Sequence, residues 1–197
     1  MSVAISYDCV PFARVSSAAF PELRNQVLDS LSRFECAKSP FLECFARKDM
    51  TRHETHGNAK TYLLLTNYSH QPPDVAGFFT VGLQSLSFDK LNNSTKKKLS
   101  GNFSYDQAGA YLIAQLARSD RYTTEQLCGA TILKEAFRII ASAKTFIGGR
   151  FLVVDFQEVI FQKLYEPHGF KRLYTANPPR SMPDSEFVTA GCLIKDF

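Results

Sequence analysis

The chain has 197 residues, of which 45% are hydrophobic and 21% charged, and its formal net charge at pH 7 is +4. This composition is ordinary for a folded globular protein, and the length suffices for one domain over residues 1–197 with a sizeable core. No stretch approaches the ~20 consecutive apolar residues of a membrane-spanning helix, which excludes a membrane protein of that kind. The mildly basic charge permits an acidic partner without requiring one.

The first third of the chain is predicted to be mostly helical. Apolar residues at helical spacing predict a helix over residues 20–34. A second helix is predicted over residues 41–46, because Ser39 and Pro40 form a typical helix start. The polar segment 51–60 is predicted to be a loop.

Two strands are predicted next, over residues 61–66 and 75–83, and they form a hairpin around a turn at 67–74. Residues 89–109 are rich in Asn, Ser, Lys and Gly. We interpret this segment as an exposed insertion with one helical turn.

The rest of the chain alternates between strands and helices. An apolar strand over 110–117 precedes a strongly amphipathic helix over 131–144, which stops at Gly148 and Gly149. A strand over 151–154, a helix over 160–166 and final strands at Leu173 and 187–194 follow. This alternation predicts an α/β fold with a mixed sheet and helices on both faces.

The passage from the strand 110–117 into the helix at Gly129 predicts a binding site. A helix that begins after a glycine turn presents backbone N–H groups to an anion, such as a phosphate. Tyr165, from the next strand–helix pair, adds a hydroxyl that can act as an acid or a base. A phosphate site beside such a hydroxyl indicates group transfer from a nucleotide-type cofactor.

The number and spacing of the cysteines predict the cellular compartment of the protein. Cys9, Cys36, Cys44, Cys128 and Cys192 form an odd set without C-x-x-C spacing. The start of the chain also lacks the basic and then apolar pattern of a secretory signal. Both observations predict reduced thiols in a cytoplasmic protein, rather than a disulfide framework or a zinc site. We predict no metal cofactor.

Several motifs resemble those of the GCN5-related N-acetyltransferases, in particular bacterial members close to the toxin acetyltransferases. Phe34-Glu-Cys36 with Phe41-Leu-x-x-Phe45 resembles their N-terminal helical motif, and residues 60–65 and 75–80 resemble the two strands that follow. Residues 111–117 resemble the central strand of the family. Tyr165-Glu-Pro-His-Gly169-Phe170 matches the family ending Tyr-x-x-x-Gly-Phe.

The resemblance implies a mostly antiparallel, twisted mixed sheet and direct transfer of acetyl from acetyl-CoA to a primary amine. Tyr165 would be the general acid that protonates the departing thiolate. The residues implied to contact acetyl-CoA are Leu116, Ala117, Arg118, Gln126, Leu127, Cys128, Gly129, Ala130, Thr131 and Phe161. The base that takes the proton of the amine stays open between Asp155, Glu158 and a bound water.

The loop implied to hold the pyrophosphate departs from the family pattern, which is Arg/Gln-x-x-Gly-x-Gly/Ala before the helix. Gln126-Leu-Cys-Gly129-Ala-Thr131 fits that pattern only with threonine in the last place. In the alternative register, Gly129 is the last glycine and Leu127 stands where a glycine is usual. Both registers keep the N–H groups of about residues 127 to 131 facing an anion.

Three roles remain open from the sequence. The protein could acetylate the amine of a small molecule or a protein, or it could act like the related toxins on aminoacyl-tRNA, with an antitoxin as partner. It could also be a module that keeps the fold for binding without catalysis. A homodimer is possible, and no membrane partner is predicted. Nucleic-acid contacts would come from a basic surface, whose candidate residues are Lys96, Lys97, Lys98, Arg118, Arg121, Lys171 and Arg172.

Overall fold

A computed structural model describes residues 3–67, 72–89, 91–100 and 106–194, without the side chains of Lys98 and Leu99. Seven strands form one sheet in the order β1-β2-β3-β4-β5-β7-β6. The strands are β1 Asp8–Pro11, β2 Ala59–Thr66, β3 Asp74–Ser87, β4 Gln107–Arg118, β5 Phe151–Gln157, β6 Lys171–Ala176 and β7 Phe187–Leu193. The β4–β5 pair is parallel, whereas β1–β2, β5–β7 and β6–β7 are antiparallel. The predicted mixed, mostly antiparallel sheet is confirmed.

The chain divides into two compact units, which we describe separately. The first comprises Met1–Val81 and Gln115–Phe137, and the second comprises Gly82–Ala114 and Arg138–Phe197. The helices are α1 Phe12–Val15, α2 Pro21–Ser32, α3 Pro40–Cys44, α4 Met50–His56, α5 Asn93–Ser100 and α6 Gly129–Ile147. The strands β3 and β4 and the helix α6 each contribute residues to both units.

The first unit has a core in which the early helices pack on β2 and β3. The rings of Phe34 and Phe45 lie 5.3 Å and 5.6 Å from the ring of Phe78. The helix α2 begins with proline in its first turn, a position that needs no N–H donor. The hydroxyl of Ser39 accepts the amide of Leu42 and caps α3 as predicted.

The predicted loop over 51–60 is wrong. The chain continues from α3 through one π-helical turn, Phe45–Asp49, directly into α4. This helix ends at Gly57, whose φ of 72° lies in the left-handed region that glycine adopts without strain. Phe45 and Met50 are buried on this segment, so tertiary packing stabilises a helix that its polar composition does not predict.

The second unit has its own apolar core. Leu86, Phe88 and Leu91 pack with Ala110, Phe151 and Val153. The helix α5, with eight residues, is longer than the single turn predicted for the segment 89–109, part of which lies outside the described residues. The predicted helix over 160–166 is instead a series of short turns, Glu158–Ile160, Phe161–Tyr165 and Glu166–His168, of which the middle one is π-helical.

Candidate functional site

The central strand continues beyond its pairing with β5. The parallel ladder runs from Ala110 opposite Phe151 to Ile113 opposite Val154. The strand β4 nevertheless extends to Arg118 and β5 to Gln157. Leu116 and Ala117 therefore lie beyond the β4–β5 ladder, at the end of β4.

Arg118 stabilises the loop that follows β4. Its guanidinium donates to the hydroxyl of Thr124 at 2.7 Å and to the carbonyl of Leu127 at 3.3 Å. Gln126 completes the turn, because its side-chain oxygen accepts the amide of Thr123 at 2.9 Å. Both residues were predicted to contact the cofactor. The structure assigns each of them hydrogen bonds within the loop.

The start of α6 leaves fewer amides free than the sequence suggested. The amide of Leu127 donates to the carbonyl of Thr123, and the amide of Thr131 donates to the carbonyl of Cys128, each at 3.0 Å. The amides of Leu127 and Thr131 are thereby bonded within the chain, and anion binding by the other amides over 127–131 stays a prediction. Gly129 is the first residue of α6 and has helical backbone. Glycine therefore contributes space at this position, because it places no side chain beside the amides.

Cys128 directly precedes α6, and the pKa of its thiol depends on the groups at this helix start. Its sulfur lies 3.1 Å from the hydroxyl oxygen of Thr131. That hydrogen bond, helped by the amides of Thr131 and Ala130, lowers the pKa of the Cys128 thiol against the opposing effect of burial. The lowered pKa therefore comes first from the Thr131 hydroxyl and only then from nearby amides, so a phosphate site at this helix start stays a prediction.

Gly77 on β3 determines how closely β3 approaches the end of β4. A Cβ atom at this position would lie 2.9 Å from the carbonyl oxygen of Ala117 and 3.0 Å from the Cδ1 atom of Ile132. Only glycine fits beside the strand end and α6 at this distance. Gly77 was not predicted as a site residue from the sequence, although a glycine inside an apolar strand commonly marks a close backbone approach.

A partly buried polar network attaches the loop after β4 to the rest of the first unit. The carboxylate of Asp74 accepts hydrogen bonds from Tyr122 at 2.5 Å, Arg121 at 2.8 Å and Ser30 at 2.7 Å. Burial alone would raise the pKa of Asp74, but the bonds from Tyr122 and Ser30 and the charge of Arg121 outweigh it and lower that pKa. Asp74 and Tyr122 lie 48 positions apart, so sequence spacing could not reveal this network.

Gln115 is a second residue of this region that was not predicted from the sequence. Its side-chain oxygen is buried and has no hydrogen-bond partner among the residues that the structure describes. An unpaired buried carbonyl costs about 1–3 kcal/mol, and such groups in proteins are normally satisfied by a donor. Gln115 directly precedes Leu116, so a ligand along the end of β4 would offer that donor.

In the second unit, Tyr165 lies among aromatic rings. Its centroid is 4.3 Å from that of Phe156 and 5.4 Å from that of Phe170, and only 4% of its surface is exposed. Burial raises the pKa of its phenol, which keeps the hydroxyl protonated at neutral pH. The ring thus has a packing role, and its role as an acid stays a prediction.

Phe161, the other predicted cofactor contact of the second unit, is buried as well. Its ring stacks on Phe156 at 5.9 Å, and the Arg172 guanidinium lies 5.4 Å from its centroid. The contact with Arg172 is a cation–π interaction. Arg172 also pairs with Glu158, one of the two carboxylates considered as the base.

Comparison with known proteins gives structural matches alone. No protein-family model and no curated protein matches the sequence. A structure of a tyrosine-to-phenylalanine mutant of KacT has a TM-score of 0.67 and 17% identity, over 93% of this chain and 93% of that chain. AtaT complexed with acetyl-methionyl-tRNAfMet has a TM-score of 0.62 and 22% identity, over 80% of this chain and 85% of that chain. AtaTR bound with AcCoA has a TM-score of 0.58 and 16% identity, over 92% and 91%.

These likenesses establish the fold. It is the fold of the GCN5-related acetyltransferases, and the structures matched here are toxin-type acetyltransferases. The resemblance that the sequence motifs indicated is confirmed at this level. None of the helices in the described part of the chain is both long and apolar enough to cross a membrane.

Proposed function

We propose that the protein is a cytoplasmic N-acetyltransferase that transfers acetyl from acetyl-CoA directly to a primary amine. The observation that carries this proposal is the end of β4 together with the start of α6. Leu116 and Ala117 lie beyond the β4–β5 ladder, and α6 begins directly after the following loop, where the Thr131 hydroxyl and nearby amides lower the pKa of the Cys128 thiol. A strand edge for a thioester arm and a helix start for its diphosphate suit coenzyme A.

The residues of the first unit would bind and orient the cosubstrate. The amides of Cys128, Gly129 and Ala130 would hold its diphosphate, and the unpaired oxygen of Gln115 would accept an N–H group of its amide-containing arm. Arg118 would act mainly by fixing the loop, through Thr124 and Leu127. Acetyl-CoA supplies an activated acyl group, and its thiol is the leaving group.

In the second unit, Tyr165 would give its proton to the departing thiolate. Its raised pKa means that the hydroxyl carries a proton throughout the neutral range, which a proton donor requires. The aromatic packing around the ring fixes its direction, and Phe161 contributes to that packing through Phe156.

For the acceptor, the aminoacyl end of a charged tRNA is the candidate that the comparisons favour. AtaT is complexed with acetyl-methionyl-tRNAfMet in one matched structure and with the antitoxin AtaR in another. An antitoxin partner for this chain is part of the same proposal. A small-molecule or protein amine is the second candidate, and it shares the same transfer chemistry.

Calorimetric titration of the full chain with acetyl-CoA tests the proposal. Saturable binding is expected, followed by acetylation of an acceptor in a screen that includes charged tRNA. A folded protein that does not bind acetyl-CoA would overturn the enzymatic proposal and favour a non-catalytic binding module.

A further inference from the structure

The loop that connects β4 to α6 is bonded to several distant parts of the first unit. The amide of Ser119 donates to the carbonyl of Ala76 on β3 at 2.9 Å, and the amide of Ile5 donates to the carbonyl of Gln126 at 3.1 Å. The carboxylate of Asp74 binds two further side chains of the loop. Surface loops are usually more mobile than the elements they connect. These bonds therefore set the conformation of this loop before any ligand binds.

Asp120 bonds the loop to one short segment through two groups. Its amide donates to the carbonyl of Glu35 at 2.8 Å, and its Oδ2 atom accepts the amide of Ala37 at 2.7 Å. Asp120 thus binds the main chain on both sides of Cys36. Burial first, and then the charge of Asp120, raise the pKa of the Cys36 thiol to about 11. Asp120 itself is exposed to solvent, so its bonds do not result from packing in the core.

The segment that Asp120 binds has a fixed position of its own. It joins α2 to α3 and contains the motif Phe34-Glu-Cys36. The amide of Cys36 donates to Oε2 of Glu43 at 2.9 Å, and Nε of Arg47 donates to the carbonyl of Phe34 at 2.7 Å. Glu43 and Arg47 also form an ion pair at 2.9 Å. Side chains from α3 and the π-helical turn therefore hold this main chain in place, and Asp120 bonds the loop to it.

Arg118 continues these contacts to the start of α6. It lies two positions before Asp120, and its guanidinium donates to the hydroxyl of Thr124 and to the carbonyl of Leu127. Leu127 directly precedes Cys128, the first of the three residues whose amides are proposed to hold the diphosphate. A continuous path of main chain and hydrogen bonds thus runs from the segment between α2 and α3, through Asp120 and Arg118, to this helix start.

We propose that Asp120 is a positioning residue for acetyl-CoA: its bonds to Glu35 and Ala37 fix the loop that leads to the amides of the diphosphate site. This inference rests on the proposed function, since it concerns cosubstrate binding at the same site. A loop that is ordered during folding does not have to be ordered again when the ligand binds, so the affinity rises without a new contact. Asp120 acts through the loop and makes no contact with the cosubstrate.

Calorimetric titration of the full chain and of two Asp120 variants with acetyl-CoA tests this role. Asp120→Ala removes the acceptor of the Ala37 amide. We expect its Kd to rise by about three- to tenfold at unchanged stoichiometry, the effect of losing one hydrogen bond. Asp120→Asn keeps an oxygen that accepts the same amide, so its Kd should stay close to that of the unsubstituted protein. Hydrogen exchange of the loop should be faster in Asp120→Ala alone.

Asp29→Ala is the matched control, because it removes the same charge from α2, where the Asp29 carboxylate pairs with Arg33 at 2.7 Å. Its Kd should be unchanged. An unchanged Kd or unchanged loop exchange in Asp120→Ala would overturn the inference, and so would equal weakening in Asp120→Asn or in Asp29→Ala. A lower stoichiometry at unchanged Kd would indicate loss of folded protein and would overturn it as well. Absence of binding by the unsubstituted protein would instead overturn the proposed function, and the role of Asp120 with it.

Discussion

At the scale of single residues, Tyr165 combines packing with a proposed chemical role, and the two can be separated. Tyr165→Phe keeps the ring that packs on Phe156 and Phe170 and removes only the hydroxyl. We expect acetyl-CoA affinity and the thermal unfolding midpoint to stay unchanged, while turnover falls by ~10²–10⁴-fold, the usual contribution of a positioned proton donor. Steady-state kinetics and calorimetry on the same preparation measure both.

Tyr111→Phe is the matched control for that substitution. The Tyr111 hydroxyl donates to the carbonyl of Gly148 at 2.5 Å, so its removal should cost about 0.5–1.5 kcal/mol of stability and leave turnover intact. Full turnover in Tyr165→Phe would contradict the proposed role of the Tyr165 hydroxyl as proton donor and leave Tyr165 with a packing role alone.

Gly77 gives a prediction about stability. Its Cβ position lies 2.9 Å from a backbone oxygen, that of Ala117, which cannot move as the end of a flexible side chain could. We expect Gly77→Ala to reduce the free energy of unfolding by about 1–3 kcal/mol, the usual cost of overpacking. Gly109→Ala is the control, because a Cβ there meets no atom within 4 Å. Urea unfolding that gives both variants the same stability would contradict the close approach.

The lowered pKa of Asp74 predicts how the stability of the fold depends on pH. Its pKa is lowered in the folded state, so its carboxylate stabilises the fold above the unfolded pKa of about 3.9, and this stabilisation is lost as the pH falls through the lower folded value. The stability difference between the unsubstituted protein and Asp74→Asn should therefore be constant near neutral pH and shrink as the solution becomes more acidic. Thermal unfolding across that range measures it, and a difference independent of pH would count against the carboxylate network.

At the scale of elements, the sequence predicted the parts whose burial follows a simple period. The helix α6 and the strands β4 and β5 have apolar residues at regular spacing, and the structure contains each of them. The helix α4 was missed, because its residues are polar and only packing around Phe45 and Met50 keeps the chain helical. The strand β1 was missed as well, since its four residues pair with β2 over a long separation.

In the candidate site too, the sequence predicts features with a local pattern and not contacts between distant residues. Gly129 and its helix could be located from local pattern, because a turn glycine before an amphipathic stripe is a local property. The Asp74–Tyr122 and Asp155–Thr189 contacts join residues 48 and 34 positions apart, so only the folded chain reveals them. Gln115 carries no local pattern at all, and its importance comes from the burial of one oxygen.

The start of α6 is the element whose alteration tests cosubstrate binding most directly. Gly129→Val places a branched side chain beside the amides of Cys128, Gly129 and Ala130, which are proposed to hold the diphosphate. We expect weaker acetyl-CoA binding with little change in the unfolding midpoint, because valine is tolerated in the first turn of a helix at a cost below about 1 kcal/mol. Gly109→Val makes the same chemical change in open space. Equal acetyl-CoA affinity of the two variants by calorimetry would remove the proposed diphosphate site.

At the scale of the whole molecule, the net charge of +4 bears on the choice of acceptor. A charged tRNA is a polyanion, and phosphate contacts would supply much of its affinity, which then falls as salt is raised. A small neutral or cationic amine has no such dependence. The effect of salt on the KM of the acceptor therefore distinguishes the two candidates, provided that acetyl-CoA affinity is measured under the same conditions.

The same distinction can be made in cells. If charged tRNA is the acceptor, induced expression should arrest growth, because acetylated aminoacyl-tRNA carries no free amine for peptide-bond formation. Tyr165→Phe should relieve the arrest and Tyr111→Phe should not, since the second substitution removes a hydroxyl bonded to Gly148 outside the proposed chemistry. Growth arrest that persists equally in both variants would mean that acetyl transfer does not cause the toxicity. Normal growth of cells that contain the fully active enzyme would mean that the acceptor is an amine other than that of charged tRNA.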